Sequence, residues 1–341
     1  MVWIHGGGYG TGQGNNEFWE LMGTNASKFI LVLIQYRLGA FGFLSSGDMV
    51  FHGGTPNAGL YDIHFSLKWV QDHIKEFGGD KRRVTVSGES SGAGAVMLLT
   101  IANGGGDGNS LFNNAIVASP YLPTQWDFDG SEPTQAYHRL ATEVGCADER
   151  GRRLLNQSTF ECLVSVDSFT LQNASAHVSS GRDVPYGHWA FLPVTDGAIL
   201  QERPSVQLAA KQVNGLRLLS GTLAKTFKNN ANEGPGFVPQ DIETASDFDR
   251  YTKGLFPLMS TGDLEQLDKA YLIPPTVPGP LYSTLGSSGP TALNQSEYAI
   301  GQQQRANNLY AETTIARKER YPPNKPGSIS SPCRLRNTGL T

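Results

Sequence analysis

The chain has 341 residues, of which 39% are hydrophobic and 17% charged, with a formal net charge of −4 at pH 7. This length is sufficient for one large α/β domain, and the small negative charge argues against a nucleic-acid partner. No stretch approaches the ~18 consecutive apolar residues of a membrane-spanning helix. Met1 lies inside the first predicted strand, so the sequence contains no signal peptide that can be recognised.

The first predicted element is a strand over Val2–Ile4, which leads directly into the sequence HGGGY. A strand that runs into three glycines can turn several backbone N–H groups toward one point, and this arrangement suits an oxyanion hole. A flexible loop and a phosphate-binding loop are the alternatives. The phosphate-binding loop is disfavoured because no Lys-Ser/Thr pair follows the glycines.

A second strand is predicted over residues 29–37, which are nearly all apolar, as in parallel strands covered on both faces. Residues 63–77 have apolar side chains at the spacing of one helical face, and Gly78 with Gly79 is expected to end this helix. Further strands are predicted over 83–88, 113–120 and 216–221. Strands that alternate with helices predict a parallel sheet with right-handed crossovers.

The most informative motif is G-x-S-x-G at residues 88–92, between a predicted strand and a helix of small residues. It has the form of a nucleophile elbow, in which a tight turn lifts the hydroxyl of Ser90 clear of the backbone. Glu89 is expected to hydrogen-bond inside the elbow, and His5 is expected to pack under the glycine loop. The motif alone is common, but its position between a strand and a helix favours a nucleophilic serine.

Taken in order, these motifs resemble the type-B carboxylesterases, the α/β-hydrolase family that includes cholinesterases and fungal secreted esterases and lipases. The resemblance runs from Val2 to about Thr314. It rests on VWIHGGGY (2–9), NAGLYD (57–62), LKWVQDHIKEFGGD (67–80), RVTVSGESSGAG (83–94), FLPVTDG (191–197), NNANEG (229–234) and GQQQRANN (301–308).

The resemblance implies a partial α/β-hydrolase domain over residues 1–314, with a mostly parallel sheet and helices on both faces. The family's N-terminal strands and its C-terminal strand and histidine region are expected to be missing. Residues 121–210 are expected to line the gorge over the serine. Residues 222–228 look inserted, and 315–341, which lack apolar periodicity, are expected to be an unrelated disordered tail.

Carried over residue by residue, Ser90 resembles the family's nucleophile and Glu233 the acid that orients a catalytic histidine. The amides of Gly7, Gly8 and Ser91 resemble the oxyanion donors. The complete family mechanism is acyl transfer through the serine. It implies a small-molecule ester or lipid substrate and no metal or organic cofactor.

The catalytic histidine has no counterpart in the chain. In this fold the histidine follows the acid, whereas all seven histidines precede Glu233: His5, His52, His64, His73, His138, His177 and His188. Loss of the base in a triad costs on the order of 10⁶ in turnover. The sequence therefore predicts an ester hydrolase by family, but no Ser90-dependent turnover by these 341 residues.

Two other interpretations stay open. The chain is a non-catalytic cholinesterase-like binding protein, or it is a gene-model fragment of an ordinary enzyme. The fragment explains the missing ends, the insertion and the tail together, whereas the binding protein does not explain why Ser90, Glu233 and the oxyanion glycines are retained.

Several smaller features are also informative. Trp126 and Trp189 are candidates for the acyl pocket, with ordinary core packing as the alternative.

In the resembling family a cysteine pair closes a loop where Cys146 and Cys162 stand, so a disulfide is expected, with two buried free thiols as the alternative. A disulfide and the family resemblance both imply secretion. Four possible N-glycosylation sites also favour it: Asn25, Asn156, Asn173 and Asn294.

The last predicted strand would be a bare sheet edge, which predicts poor solubility.

Overall fold

The computed structural model describes residues 1–24, 28–154, 156–180, 189–221, 242–271 and 301–310. Within these ranges the chain forms a five-stranded, fully parallel sheet in the order β2-β1-β3-β4-β5. The strands are β1 (Val2–Ile4), β2 (Val32–Leu33), β3 (Thr85–Glu89), β4 (Asn114–Ala118) and β5 (Arg217–Gly221). The five predicted strands and their parallel pairing are thereby confirmed.

The second strand is much shorter than the predicted range of 29–37. Only Val32 and Leu33 pair with β1, although the N–H of Ile34 still reaches the carbonyl of Trp3 at 3.4 Å. The cause is the length of the partner strand. Because β1 ends at Ile4, where the glycine loop turns away, the residues of the predicted strand that follow Ile34 (35–37) have no β1 backbone to pair with.

Helices surround the sheet throughout the described part of the chain. The α-helices are α1 (Trp19–Thr24), α2 (Gly39–Phe43), α3 (Gly47–Phe51), α4 (Ala58–His73), α5 (Ser91–Leu99), α6 (Ser131–Glu143), α7 (Thr159–Ser165), α8 (Ser168–Ser180), α9 (Pro204–Ala209), α10 (Ala245–Leu255), α11 (Thr261–Ala270) and α12 (Gly301–Tyr310). Short 3₁₀ turns cover Ile74–Phe77, Lys81–Arg83 and Ala102–Gly105. None of the helices described here is both long and apolar enough to cross a bilayer.

Helix α4 confirms the predicted helix but begins five residues earlier, at Ala58. Its start is fixed by Asn57, which has a left-handed backbone (φ 57°) and is almost fully buried. The side-chain amide of Asn57 donates to the carbonyl of Val194 at 2.8 Å and accepts from its N–H at 2.9 Å. A contact this distant in sequence leaves no trace in local periodicity. At the other end Gly78 (φ 82°) caps the 3₁₀ turn that extends the helix, as predicted.

Helix α5 forms the centre of the core. Every residue from Ser91 to Leu99 except Met97 is buried, and the helix packs against β1, β3 and β4. It begins immediately after Ser90, so the core holds the candidate nucleophile in place at the carboxyl edge of the sheet.

The segment between β4 and β5 contains the expected disulfide. Cys146 and Cys162 are bonded, with their Cα atoms 5.7 Å apart, so the alternative of two free thiols does not apply. Ser158 and Glu161 form a capping box at the start of α7, and the resulting hydrogen bonds lower the pKa of Glu161. The proposed insertion at 222–228 and the tail at 315–341 lie outside the described residues.

Candidate active site

Ser90 has the strained backbone that a nucleophile elbow requires. Its φ of 56° and ψ of −124° lie in a region that residues with a side chain rarely adopt, at a cost of roughly 1–3 kcal/mol. Three backbone hydrogen bonds hold it there. Its N–H donates to the carbonyl of Ala118 at 3.0 Å, and its own carbonyl accepts from the N–H groups of Gly94 and Tyr121, both at 2.9 Å.

The two flanking glycines of the motif are required by close backbone approach. A Cβ added to Gly88 would lie 2.5 Å from the carbonyl carbon of Gly92. A Cβ on Gly92 would collide with the carbonyl oxygens of Ile4 and His5. Only glycine therefore allows strand β3 to turn into α5 while α5 lies directly on β1.

The glycine loop lies directly against this elbow. A Cβ on Gly6 would lie 3.0 Å from the Cβ of Ser90, and Gly7 and Gly8 have positive φ angles of 117° and 62°. Among the described residues, the N–H groups of Gly7, Gly8 and Ser91 donate no hydrogen bond. Ser91 directly follows the candidate nucleophile, and Gly7 and Gly8 directly follow Gly6, which lies against Ser90. That these three N–H groups bind an oxyanion stays a prediction.

Two buried tyrosines join the glycine loop to its surroundings. The hydroxyl of Tyr9 donates to the carbonyl of Tyr121 at 3.1 Å, and that of Tyr36 donates to the carbonyl of His5 at 2.8 Å. Burial raises the pKa of both phenols, so they remain protonated donors. The sequence analysis assigned no structural role to Tyr9 or Tyr36. The only local signal for such a role is that Tyr9 directly follows the glycines.

His5 packs beneath the loop, as expected. Its ring stacks on Tyr36 with centroids 4.6 Å apart, and Nδ1 lies 2.9 Å from the carbonyl of Gly6, to which it donates. The ring is buried, and its Nε2 has no hydrogen-bond partner among the described residues.

The side chain of Ser90 forms no hydrogen bond to a histidine within the described residues. His64 pairs with Asp107, in the segment that follows α5, at 2.9 Å. Three other rings lie against carboxylates: His52 with Asp48, His73 with Glu76, and His177 with Glu143. His138 packs against Gly151, whereas His188 and Glu233 lie outside the described residues.

Trp126 and Trp189 line the same cavity, which has a volume of about 210 Å³. The indole of Trp189 packs so closely on Gly8 and Gly10 that neither could carry a Cβ. Trp189 therefore forms a wall between the glycine loop and the cavity. Ser90 is not among the residues that line this cavity, which otherwise contains Phe43, Leu192, Glu132 and Arg139 among others.

Comparison with known proteins gives the family of the chain. Residues 1–270 match the sequence profile of the carboxylesterase family. The inactive carboxylesterase-like protein VdtD of Byssochlamys spectabilis is 29% identical over 271 residues, covering 77% of this chain and 44% of VdtD. Cholinesterase 1 of Branchiostoma lanceolatum is 33% identical over 259 residues, covering 74% of this chain and 68% of that protein.

The fold also matches a solved structure. The crystal structure of Aspergillus niger EstA superposes with a TM-score of 0.70 at 27% identity, covering 92% of this chain and 54% of EstA. The parallel sheet and its strand–serine–helix turn therefore define an α/β-hydrolase. Within that class, the chain belongs to the carboxylesterase family. It spans about half the length of VdtD and of EstA.

Proposed function

We propose that the chain carries the nucleophile and the oxyanion hole of a carboxylic ester hydrolase. Ser90 is the nucleophile, and the N–H groups of Gly7, Gly8 and Ser91 bind the oxyanion. The main support is the strained backbone of Ser90 beside a glycine loop whose donors are unused among the described residues.

The proposed chemistry is acyl transfer. The Oγ of Ser90 attacks the ester carbonyl as its proton passes to a base, and the three N–H groups stabilise the charge on the carbonyl oxygen. The alcohol then leaves with a proton, and water hydrolyses the acyl-enzyme. The half-buried indoles of Trp126 and Trp189 provide an apolar wall for the acyl group.

The base is the part that this chain does not provide, and we propose that its 341 residues do not turn over esters unaided. Glu233 is the proposed acid of the triad, but an acid in this position acts by orienting a histidine. No histidine follows it in the sequence, and none of the described histidines is hydrogen-bonded to Ser90. Transcript sequencing past the codon for Thr314 would show whether a downstream histidine belongs to the gene product.

A non-catalytic binding protein is the second candidate. The observation that favours it is that no histidine among the described residues is bonded to Ser90, together with a relative, VdtD, that is itself described as inactive. The same fold would then present its cavity to a ligand without acyl transfer.

Chemical rescue distinguishes the two candidates. The purified chain and its Ser90→Ala variant are compared on p-nitrophenyl acetate, with and without added imidazole. Equal rates without imidazole are expected. With imidazole, a higher rate for the unmodified chain indicates a competent site that lacks only its base, whereas equal rates favour the binding protein. Ser90-dependent hydrolysis without imidazole would show that a histidine of this chain acts as base, contrary to the proposal.

We also propose that the protein is secreted. The disulfide between Cys146 and Cys162 is typical of oxidising compartments. Two of the four possible glycosylation sites, Asn156 and Asn173, fall in the described residues, and both asparagines are exposed.

A further inference from the structure

The direction of the Gly7 N–H is coupled to that of the Gly6 carbonyl, because both belong to one peptide bond. The peptide bonds of the described residues are trans, and a trans peptide places its C=O and its N–H on opposite edges of one plane. Whatever holds the Gly6 carbonyl therefore sets the direction of the Gly7 N–H, which is one of the three proposed oxyanion donors.

A side chain, that of His5, holds the Gly6 carbonyl. Nδ1 of His5 donates to it at 2.9 Å, and among the described residues no other group does so. The next peptide plane is held differently. The carbonyl of Gly7, which sets the direction of the Gly8 N–H, accepts from two backbone N–H groups further along the loop, at 2.9 and 3.1 Å, and from a threonine hydroxyl at 3.3 Å. Of the two donors in the glycine loop, the N–H of Gly7 is therefore the one that depends on His5.

The hydrogen bond from His5 is closely packed on several sides. The imidazole is buried and lies nearly parallel to the ring of Tyr36, with 25° between the planes, and the Tyr36 hydroxyl donates to the His5 carbonyl at 2.8 Å. The backbone of Gly12 covers the bond, since a Cβ there would lie 2.3 Å from the Gly6 oxygen and 2.4 Å from Nδ1 of His5. Such packing keeps one geometry, as an oxyanion donor fixed before the substrate arrives requires.

The ring of His5 uses only one of its nitrogens in this way. Nε2 is buried and has no hydrogen-bond partner among the described residues. A buried polar atom without a partner is unfavourable, so packing against Tyr36 alone would favour an apolar ring. The hydrogen bond of Nδ1 to the Gly6 carbonyl accounts for a histidine at this position.

We propose that His5 is a positioning residue, which directs the N–H of Gly7 toward the oxyanion by holding the carbonyl of Gly6. The inference rests on the proposed function, in which Gly7 is an oxyanion donor. In this role His5 exchanges no proton with Ser90 or with the ester, and it acts only through the peptide plane. Its donor should therefore matter for the transition state, in which the negative charge develops, rather than for binding of the ester.

Three variants separate the donor of His5 from its ring. His5→Asn loses the ring but keeps an amide nitrogen at the position of Nδ1, whereas His5→Leu has nearly the same shape as asparagine and no donor. His5→Phe keeps a ring that can stack on Tyr36 and also lacks the donor, so a second donor-free variant exists if His5→Leu fails to fold. Circular dichroism and urea denaturation check the fold of each variant.

The measurement is hydrolysis of p-nitrophenyl acetate in the presence of imidazole, with the rate of the matching Ser90→Ala chain subtracted. His5→Leu and His5→Phe are expected to lower the maximal Ser90-dependent rate about tenfold or more, with little change in the half-saturating ester concentration. His5→Asn should recover most of the rate. A purely structural role would change the stability of the variants, but it would not make asparagine superior to leucine and phenylalanine in the maximal rate of folded chains.

Three results would overturn the role of His5 alone. One is an unchanged Ser90-dependent rate in the donor-free variants. Another is an equal loss in His5→Asn and His5→Leu, which would assign the effect to packing of the ring. The third is a raised half-saturating ester concentration with an unchanged maximal rate. Absence of any Ser90-dependent rate in the unmodified chain with imidazole would instead overturn the proposed function, and the role of His5 with it.

Discussion

The hydroxyl of Tyr9 donates to the carbonyl of Tyr121 at 3.1 Å, and this bond connects the glycine loop to the segment that follows β4. The N–H of Tyr121 in turn donates to the carbonyl of Ser90 at 2.9 Å. One residue, Tyr121, therefore holds both the loop that is proposed to bind the oxyanion and the elbow that presents the serine. Because Tyr9 is fully buried, water cannot replace its hydroxyl.

Removal of the Tyr9 hydroxyl should destabilise the folded chain. Tyr9→Phe is expected to lower the free energy of unfolding by about 1–2 kcal/mol, since a buried carbonyl loses a donor. Urea denaturation provides the measurement. Ser110→Ala, which removes an exposed hydroxyl that donates to the carbonyl of Asp107, is the control and should cost less. Equal losses in the two variants would show that the Tyr9 bond contributes little.

Gly92→Ala should prevent normal folding. The new Cβ meets the backbone of Ile4 and His5, neither of which can rotate away, so a loss of about 3 kcal/mol or more is expected. Gly254→Ala is the matched control. Gly254 lies in α10 with nothing within 4 Å of an added Cβ, and alanine there should be neutral or slightly stabilising. Similar thermal melting of the two variants would contradict the described packing of α5 on β1.

The disulfide should be detectable by counting thiols. Of the three cysteines in the chain, Cys146 and Cys162 are bonded, so iodoacetamide should modify one cysteine in the denatured, unreduced protein and three after reduction. A loop of this length implies a contribution of about 3 kcal/mol to stability. The double Cys→Ser variant should therefore melt at a lower temperature. Modification of three cysteines without reduction would be inconsistent with the bond.

The edge of the sheet at β5 should limit solubility. Within the described residues β5 pairs only with β4, and Leu219 on this strand is 50% exposed. An exposed apolar edge strand promotes pairing between chains, so Leu219→Lys should raise the soluble yield and the concentration at which light scattering appears. Leu258→Lys, at an exposed site outside the sheet, should have a smaller effect. A monodisperse unmodified chain that melts cooperatively would contradict this expectation.

The parts of the fold that local sequence determines could be predicted. The apolar runs gave all five strands, and the glycines on either side of Ser90 gave the elbow, because both depend on residues adjacent in sequence. The family resemblance gave the bond between Cys146 and Cys162. These features need no knowledge of distant contacts.

Features that depend on distant partners could not be predicted. The start of α4 depends on Asn57 meeting Val194, and the short β2 depends on where β1 ends. The hydrogen bonds of Tyr9 and Tyr36 join residues far apart in the chain. The placement of His64 beside Asp107 likewise appears only when α4 and the segment after α5 are seen together.

The parallel sheet also has a consequence for how the chain reaches its structure. Its registers join Thr85 to Asn114, 29 residues further on, and Asn114 to Arg217, 103 residues further on, so even consecutive strands pair across a long connection. Each pairing must close a long loop before it gains any contact, and such topologies fold slowly. During that delay, the almost wholly apolar α5 has no strands to cover it. We therefore expect refolding yield to fall as protein concentration rises, even under conditions in which the folded chain is stable.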